Sequence, residues 1–369
     1  MKRGLYTEKI NENELLSKTI MFLRFPLIVA VVLIHTKLNN IAIGGHSIIK
    51  EGMFPIYDMF YFVISKELAA VAVPIFFFIS GFLFFYKCNM TIDIYIRKLK
   101  KRVKTLFVPY VIWNIIVLLL MFCTQLFLSS MTSGNNKLVV DYNWIDYLNI
   151  FWAHNGGMPI CYQFWFIRDL MVTILFVPFL YLIIKHLGIV GLSLMGILWI
   201  FNLGLKVPGL NISAFFFFSY GAWFSINKRN FVTDFNRWRI SVTFIYPIMV
   251  GVYACLWCNK IYIPSFLMNI EILIGLVFAI TWIALGIKKQ KFHTSALLVG
   301  GSFFIYAYHG MFVPLFIKLW VYILQPVNEF ILISGYFIIP ILIIIIGLVV
   351  YSQLQKRLPV LTAIITGGR

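Results

Sequence analysis

Two ionisable side chains, Arg24 and His35, lie eleven residues apart in the hydrophobic segment that runs from Met21 to His35. An arginine at the centre of a membrane helix costs about 2.5 kcal/mol or more, so a charge in such a segment indicates a functional site. At about 100° per residue, eleven residues make nearly three turns, which puts both side chains on one helix face about 16 Å apart. This pair would suit a membrane enzyme that handles an anionic substrate. We therefore predict Arg24 and His35 as catalytic residues.

Four further ionisable residues fall in or beside apolar segments, and we predict them as substrate-binding or supporting residues: Arg168, Asp169, His309 and Glu271. Asp169 would favour the dipole of a helix start, whereas Arg168 would pair with a carboxylate or bind substrate. His309 lies at a depth similar to that of His35, although a lone membrane histidine is commonly an interhelical hydrogen bonder. Glu271 would either pair with an arginine or join a proton relay, and the residues leave both roles open.

The densest basic patch is the segment 97–104, where Arg97 and Arg102 stand among lysines. Such a patch either marks the cytoplasmic side and attracts anionic lipid, or it binds the phosphates of a nucleotide-like cofactor. The residues alone do not choose between these two functions.

Two other patterns favour packing over chemistry. Cys255 and Cys258 have the CxxC spacing, but they lie in a hydrophobic helix without further ligands or a redox fold, so we predict no metal or redox site there. Ser80 and Gly81 end an apolar run and suit close helix packing, whereas a serine nucleophile would need a neighbouring base.

The composition is that of a polytopic membrane protein. Of 369 residues, 61% are hydrophobic and only 12% are charged, which lies outside the range of soluble globular chains. The net charge of +18 sits in short loops between apolar runs, and no nucleic-acid-binding motif is present. We therefore predict no nucleic acid as a partner.

Hydropathy predicts an all-α protein with about ten transmembrane helices. The apolar runs are 20–37, 68–86, 106–128, 166–185, 188–205, 212–227, 240–258, 265–287, 296–320 and 331–353. If the N-terminus is cytoplasmic, 22 Lys and Arg residues lie inside and seven outside, which favours two cytoplasmic termini. We predict a cytoplasmic N-terminal segment 1–19, a transmembrane domain 20–354 and a cytoplasmic tail 355–369. The long outer loops 38–67 and 129–165 are functional candidates.

Five segments carry a resemblance to a known family: Arg24 to His35, Phe76 to Gly81, Leu106 to Tyr110, Trp165 to Leu170, and Ser302 to His309. In this order they resemble the membrane acyltransferase-3 family, integral-membrane O-acyltransferases that modify surface sugars. The resemblance covers residues 20–350. The Arg-x-x-Arg pattern that the family has after the second helix is not met literally, since Arg97 and Arg102 stand there among lysines.

The resemblance implies that acetyl-CoA or another acyl-CoA is the donor substrate, with no bound cofactor. The acceptor would be a hydroxyl of a surface glycan or lipid-linked sugar, so the reaction would be polysaccharide O-acetylation at the bacterial inner membrane, within the cell envelope. Arg24, Arg97 and Arg102 would hold the phosphates of the donor, and His35 would take a proton from the acceptor hydroxyl. Membrane lipid is a further expected partner, and homo-oligomerisation is left open.

Two other classes of function remain open at the level of the sequence. Intramembrane charges and ten helices also fit a transporter or flippase for a lipid-linked or acylated sugar. A membrane sensor or scaffold for a partner enzyme is the third alternative. Consumption of a thioester distinguishes an acyltransferase from both.

Overall fold

The computed structural model describes residues 10–43, 46–127, 137–154, 156–205 and 207–368. Lys2, Arg3, Lys9, Lys206 and Arg369, which enter the charge count above, lie outside them. The α-helices are α1 Glu12–His35, α2 Pro55–Tyr61, α3 Ala72–Phe85, α4 Ile92–Arg102, α5 Val108–Phe127, α6 Trp144–Asn149, α7 Trp165–Leu175, α8 Val177–Ile200, α9 Ile212–Ile226, α10 Phe231–Asn236, α11 Arg239–Cys258, α12 Ser265–Lys288, α13 Ala296–Ile323, α14 Glu329–Arg357 and α15 Pro359–Thr366. The antiparallel strands β1 Ile41–Ile43 and β2 His46–Ile49 form a short hairpin between α1 and α2. The prediction of a helical membrane protein is confirmed.

Within the described ranges, eight helical segments are long and apolar enough to cross a bilayer. They are Glu12–His35, Pro55–Phe85, Ile92–Phe127, Val177–Ile200, Arg239–Cys258, Ser265–Lys288, Ala296–Ile323 and Glu329–Arg357. Helix α9 is apolar too but has only 15 residues. The count of about ten helices and the cytoplasmic position of both termini therefore stay predictions.

The region of the fourth and fifth predicted runs, 166–185 and 188–205, is divided differently. Helix α7 ends at Leu175 and α8 begins at Val177, so the first break comes earlier than the sequence suggests. Gly188 then interrupts α8 with φ 53° and ψ −127°. A Cβ added to Gly191 would meet the side chain of Ile183, eight residues away, which a straight helix would separate by about 12 Å. Helix α8 therefore bends sharply at Gly188.

The second span begins at Pro55, well before the predicted start at residue 68. A π-helix from Phe62 to Leu68 and a 3₁₀ turn from Ala69 to Val71 join α2 to α3 without a loop. The polar residues Ser65 and Glu67 of the π-helix are buried. Their polarity makes this stretch resemble a loop in the hydropathy pattern, although the structure buries it inside the bundle.

The closest helix contact in the core joins α3 and α9 through two glycines. A Cβ added to Gly81 would overlap the backbone carbonyl of Phe218, and one added to Gly221 would overlap that of Phe78. Small residues allow such close backbone approach in membrane bundles, so the packing role predicted for Gly81 agrees with the structure. Helix α3 is thereby fixed beside the face of α1 that carries Arg24.

Part of the predicted tail 355–369 is ordered against the bundle. Helix α15 follows α14 after one residue and packs on α5, where the indole Nε1 of Trp113 donates to the carbonyl of Ile365 at 2.9 Å. Gly367 ends α15 in the left-handed region with φ 70°, close to the backbone of Thr105. The segment therefore supports the N-terminal half of α5.

Candidate active site

Arg24 and Arg102 face the same cavity, which has a volume of about 210 Å³. Its remaining walls are mainly apolar and include Phe76, Leu106 and Phe166. Among the described residues, neither arginine forms an ion pair. Two guanidinium groups that share an apolar cavity and have no carboxylate partner there can bind an anionic ligand.

Arg97 does not reach this cavity. It is an exposed residue of α4, and five residues from Arg97 to Arg102 turn a helix by about 140°, so the two side chains leave α4 in different directions. Lys98, between them, binds the carbonyl of Phe84 and the Cys88 sulfur at the end of α3. The structure therefore brings together two of the three arginines predicted for the donor phosphates.

His35 and His309 lie side by side, as their similar depth in the sequence predicted. Their ring centroids are 5.3 Å apart, and the ring of Tyr162 lies 5.0 Å from that of His35 in an edge-on arrangement. His35 ends α1, His309 lies in the middle of α13, and Tyr162 comes from the 3₁₀ turn before α7. Three separate elements thus build one small polar centre in the apolar core.

Backbone contacts orient the imidazole of His309. Its Nδ1 lies 2.8 Å from the carbonyl of Tyr306 and 3.2 Å from that of Ile305, and a carbonyl only accepts hydrogen bonds. Nδ1 therefore carries the proton, and Nε2 of the neutral ring keeps its lone pair. Among the described residues, this buried Nε2 has no hydrogen-bond partner, so its lone pair is left to accept a hydrogen bond from a neighbouring group.

Gln163 links the 3₁₀ turn before α7 to α13 beside the histidine pair, and the sequence does not predict this role. Its side-chain amide donates to the carbonyl of Ala307 at 2.8 Å, and the hydroxyl of Tyr306 donates to its backbone carbonyl at 2.6 Å. A Cβ added to Gly310 would overlap the side-chain amide of Gln163, so a larger residue at position 310 would displace this amide. Gln163 and Tyr162 lie in a segment that hydropathy predicts to be an outer loop, so no pattern in the sequence identifies them as residues of the site.

The arginine cavity and the histidine pair lie along the same two helix faces. On α1, Ile28 lines the cavity, and His35 follows seven residues later on the same face, about 10 Å further along. On α13, Tyr306 lines the cavity, and His309 follows within one turn. The arrangement can hold an anion at one end and present a proton acceptor at the other.

Arg168 and Asp169 form a buried ion pair outside the cavity. The Arg168 guanidinium is 2.8 Å from the Asp169 carboxylate and also donates to the carbonyls of Trp152 and Gly157. Because α7 begins at Trp165, Asp169 lies beyond the first turn, so the expected contact with the helix dipole is wrong. The pair instead ties the outer loop to α7, a supporting role.

The outer loop is itself folded around polar contacts. Lys137 forms an ion pair with Asp146 at 2.6 Å, and this contact lowers the pKa of the Asp146 carboxyl. The hydroxyl of Tyr142 lies 3.3 Å from Nε2 of His154, whose pKa is lowered because the ring is partly buried. His154 is thus part of the folded loop, apart from the histidine pair.

Glu271 is not part of the centre either. It is buried on α12, where the carboxyl group beside it belongs to Glu67 of the π-helix. The partner of Glu271 is thus a second acid, so of the two roles that the sequence leaves open, pairing with an arginine does not occur among the described residues. Among the described residues, no group of three or more His, Cys, Asp and Glu could hold a metal ion.

Comparison with protein-family models gives a match. A family model described as an acyltransferase domain matches residues 18–351, which is most of the chain and includes Arg24, His35, Arg102 and His309. No curated protein and no solved structure matches.

Proposed function

The chain belongs to the membrane acyltransferase-3 family and is an acyltransferase for groups other than aminoacyl groups, and we propose that it transfers an acyl group, most simply acetyl, from cytoplasmic acyl-CoA to a hydroxyl of a surface glycan or lipid-linked sugar. The observation that carries this proposal is that the Arg24–Arg102 cavity and the His35–His309 pair lie along the same faces of α1 and α13. The proposed location is the bacterial cytoplasmic membrane.

The Arg24–Arg102 cavity suits the binding of acyl-CoA. The phosphates of CoA are anionic, and the guanidinium groups of Arg24 and Arg102 bind phosphate with charge-assisted hydrogen bonds. The apolar walls of the cavity suit the thioester arm, and its volume of about 210 Å³ favours a short acyl chain. Lysines of the neighbouring segment 97–104 add positive charge, which steers an anionic donor toward the cavity.

The histidine pair suits the transfer step. The imidazole of His35, the more exposed ring of the pair, takes the proton of the acceptor hydroxyl as its oxygen attacks the thioester carbonyl. The carbon–sulfur bond then breaks, and the same proton passes to the departing CoA sulfur, so the products are an ester and free CoA thiol. His309 lies beside His35 and would orient its ring together with Tyr162.

A chemical readout separates this proposal from transport by a flippase. Membrane vesicles from cells that express the chain receive acetyl-CoA with a radiolabelled acetyl group. We expect free CoA thiol to appear in step with label in the glycan or lipid-linked sugar fraction, and the mass of the surface glycan to rise by acetyl units when the gene is present. Movement of sugar without loss of thioester would contradict the proposal and favour a flippase.

A further inference from the structure

A second polar centre lies in the core, away from the histidine pair. Glu67 of the π-helix and Glu271 of α12 are each only 3% exposed, and their carboxyl groups are neighbours where the π-helix packs on α12. Among the described residues, both oxygens of Glu67 and one oxygen of Glu271 have no hydrogen-bond partner of normal geometry. Buried polar groups that the surrounding structure leaves unsatisfied require an explanation, which makes this acidic pair a candidate site.

No positive charge compensates the two acids within the described part of the chain. None of the ion pairs there includes Glu67 or Glu271. The titratable groups that face them from α11 are the phenols of Tyr246 and Tyr253, and Lys66 next to Glu67 is exposed. Two carboxylates in contact cannot both ionise in such a place, so the pair keeps at least one proton.

A large cavity approaches this pair from the predicted outer side. It has a volume of about 960 Å³, and its walls include Phe62, Trp257 and Met268. Each of these residues is about one helical turn from a member of the acidic centre: Phe62 from Glu67 along the π-helix, Met268 from Glu271 along α12, and Trp257 from Tyr253 along α11. The charged residues Glu51, Asp58 and Lys260 also line it.

We propose that Glu67 and Glu271 form a proton-binding site that exchanges its proton with the outer solution through this cavity. The ligand is a single proton held between two carboxyl groups. The wider turn of the π-helix explains this geometry. It places Ser65 toward α1, where the Ser65 hydroxyl donates to the carbonyl of Leu33 at 2.9 Å, and it places Glu67 toward α11 and α12. The site goes beyond the proposed transfer reaction and does not depend on it.

Infrared spectroscopy of the full chain in lipid nanodiscs tests for the retained proton. We expect a carbonyl band of a protonated carboxylic acid at neutral pH in the wild type, and its loss in the double variant Glu67→Gln, Glu271→Gln. The control Glu51→Gln changes a carboxylate that is exposed and paired with Lys37 and should keep the band. Identical spectra of wild type and double variant would overturn the proposal.

A measurement on the unmodified chain covers the case in which the double variant does not fold. A hydrophobic carbodiimide adds to protonated buried carboxyl groups. Mass spectrometry should find the adduct on Glu67 or Glu271 at neutral pH, with less adduct as the pH rises, and none on Glu51. Absence of the adduct from both buried acids would also overturn the proposal.

Cys258, an exposed residue that lines the cavity, tests the route of exchange. In heavy water, exchange of the acid proton for deuterium shifts the carbonyl band. A bulky membrane-impermeant thiol reagent on Cys258 should slow the rate of this shift several-fold. The control is Cys258→Ser, which keeps the exposed residues Cys123 and Cys255 and should exchange at the unlabelled rate. Equal exchange rates in labelled wild type and labelled control would contradict the outer route.

Discussion

At the scale of single residues, the two histidines have different surroundings. His309 is fully buried, with Nδ1 bound to backbone carbonyls and Nε2 without a partner. His35 is half-buried and contacts the centre through its ring edge and the neighbouring Tyr162. The exposed part of the His35 ring can meet an acceptor hydroxyl, whereas His309 is closed off from one. We therefore keep His35 as the proposed base and His309 in a supporting role.

The two arginines of α4 offer a matched comparison. Arg102→Ala removes a guanidinium from the cavity, and loss of a charge-assisted hydrogen bond worth about 1.5–3 kcal/mol should weaken donor binding about 10- to 100-fold. Arg97→Ala removes the same group from an exposed position on the same helix and should change donor affinity less than about threefold. Titration of both variants with acetyl-CoA checks this, and equal effects would contradict a specific role for Arg102.

The residues of the site differ in how far the sequence predicts them. Arg24 and His35 are recognisable because a charge in an apolar run is conspicuous, and helical spacing then puts them on one face. His309 follows from counting residues along a helix. Gln163 and Tyr162 have no such signal, because the fold of a loop decides which way they point. The acidic partner of Glu271 depends on a π-helix, which hydropathy does not reveal.

At the scale of the elements, the contact between α3 and α9 controls the width of the core. Gly81→Ala or Gly221→Ala would push a methyl group into the facing backbone, so the helices must separate, which typically costs about 1–3 kcal/mol. Gly251→Ala is the control, because nothing lies within 4 Å of its added Cβ. The midpoint temperature of thermal unfolding in detergent should fall by several degrees for Gly81→Ala and Gly221→Ala only. Equal midpoints for all three variants would contradict tight packing between α3 and α9.

The buried ion pair of α7 should control the outer loop. Arg168→Ala leaves Asp169 buried without its charge partner, which costs about 3–5 kcal/mol in such settings, and frees the carbonyls of Trp152 and Gly157. We expect faster hydrogen exchange and faster proteolysis in residues 137–162. Lys137→Ala, which breaks only an exposed ion pair of the same loop, is the control. Unchanged exchange in Arg168→Ala would show that the loop is held by other contacts.

Element boundaries were predictable only where the hydrophobic pattern is uninterrupted. The cores of α1, α11, α12, α13 and α14 lie where the apolar runs indicate. The start of the second span was missed because Ser65 and Glu67 make a buried helix look polar. The hydropathy pattern places the boundary between α7 and α8 wrongly. The break at Phe176 and the bend at Gly188 leave no clear change in hydropathy.

At the scale of the whole molecule, the charge bias predicts which ends of the helices face the cytoplasm. In a chain whose five cysteines are replaced by serine, Cys258 restored alone should react with an impermeant maleimide added to intact cells. Asn89→Cys, at an exposed position after α3, should react only after the cells are permeabilised. The opposite pattern would invert the topology and place the arginine cavity on the outer side.

The orientation decides how the two centres would work. With the predicted topology, the Arg24–Arg102 cavity opens toward cytoplasmic acyl-CoA, and the histidine pair lies deeper, between the donor and an acceptor on the outer side. The acidic pair then faces the outer solution through its own cavity. The molecule would separate the site of donor binding from the site of acceptor attack along a single helix face.

The central claim is that acyl transfer depends on the histidine pair beside the arginine cavity. The most direct test measures label transfer and CoA thiol release in inside-out vesicles supplied with radiolabelled acetyl-CoA, for wild type, His35→Ala, His309→Ala and the loop control His154→Ala. Loss of a general base typically slows a reaction about 10²- to 10⁴-fold, so both rates should fall by this much in His35→Ala, fall clearly in His309→Ala, and stay within about threefold in His154→Ala. Wild-type rates in a folded His35→Ala, His309→Ala double variant would contradict the account.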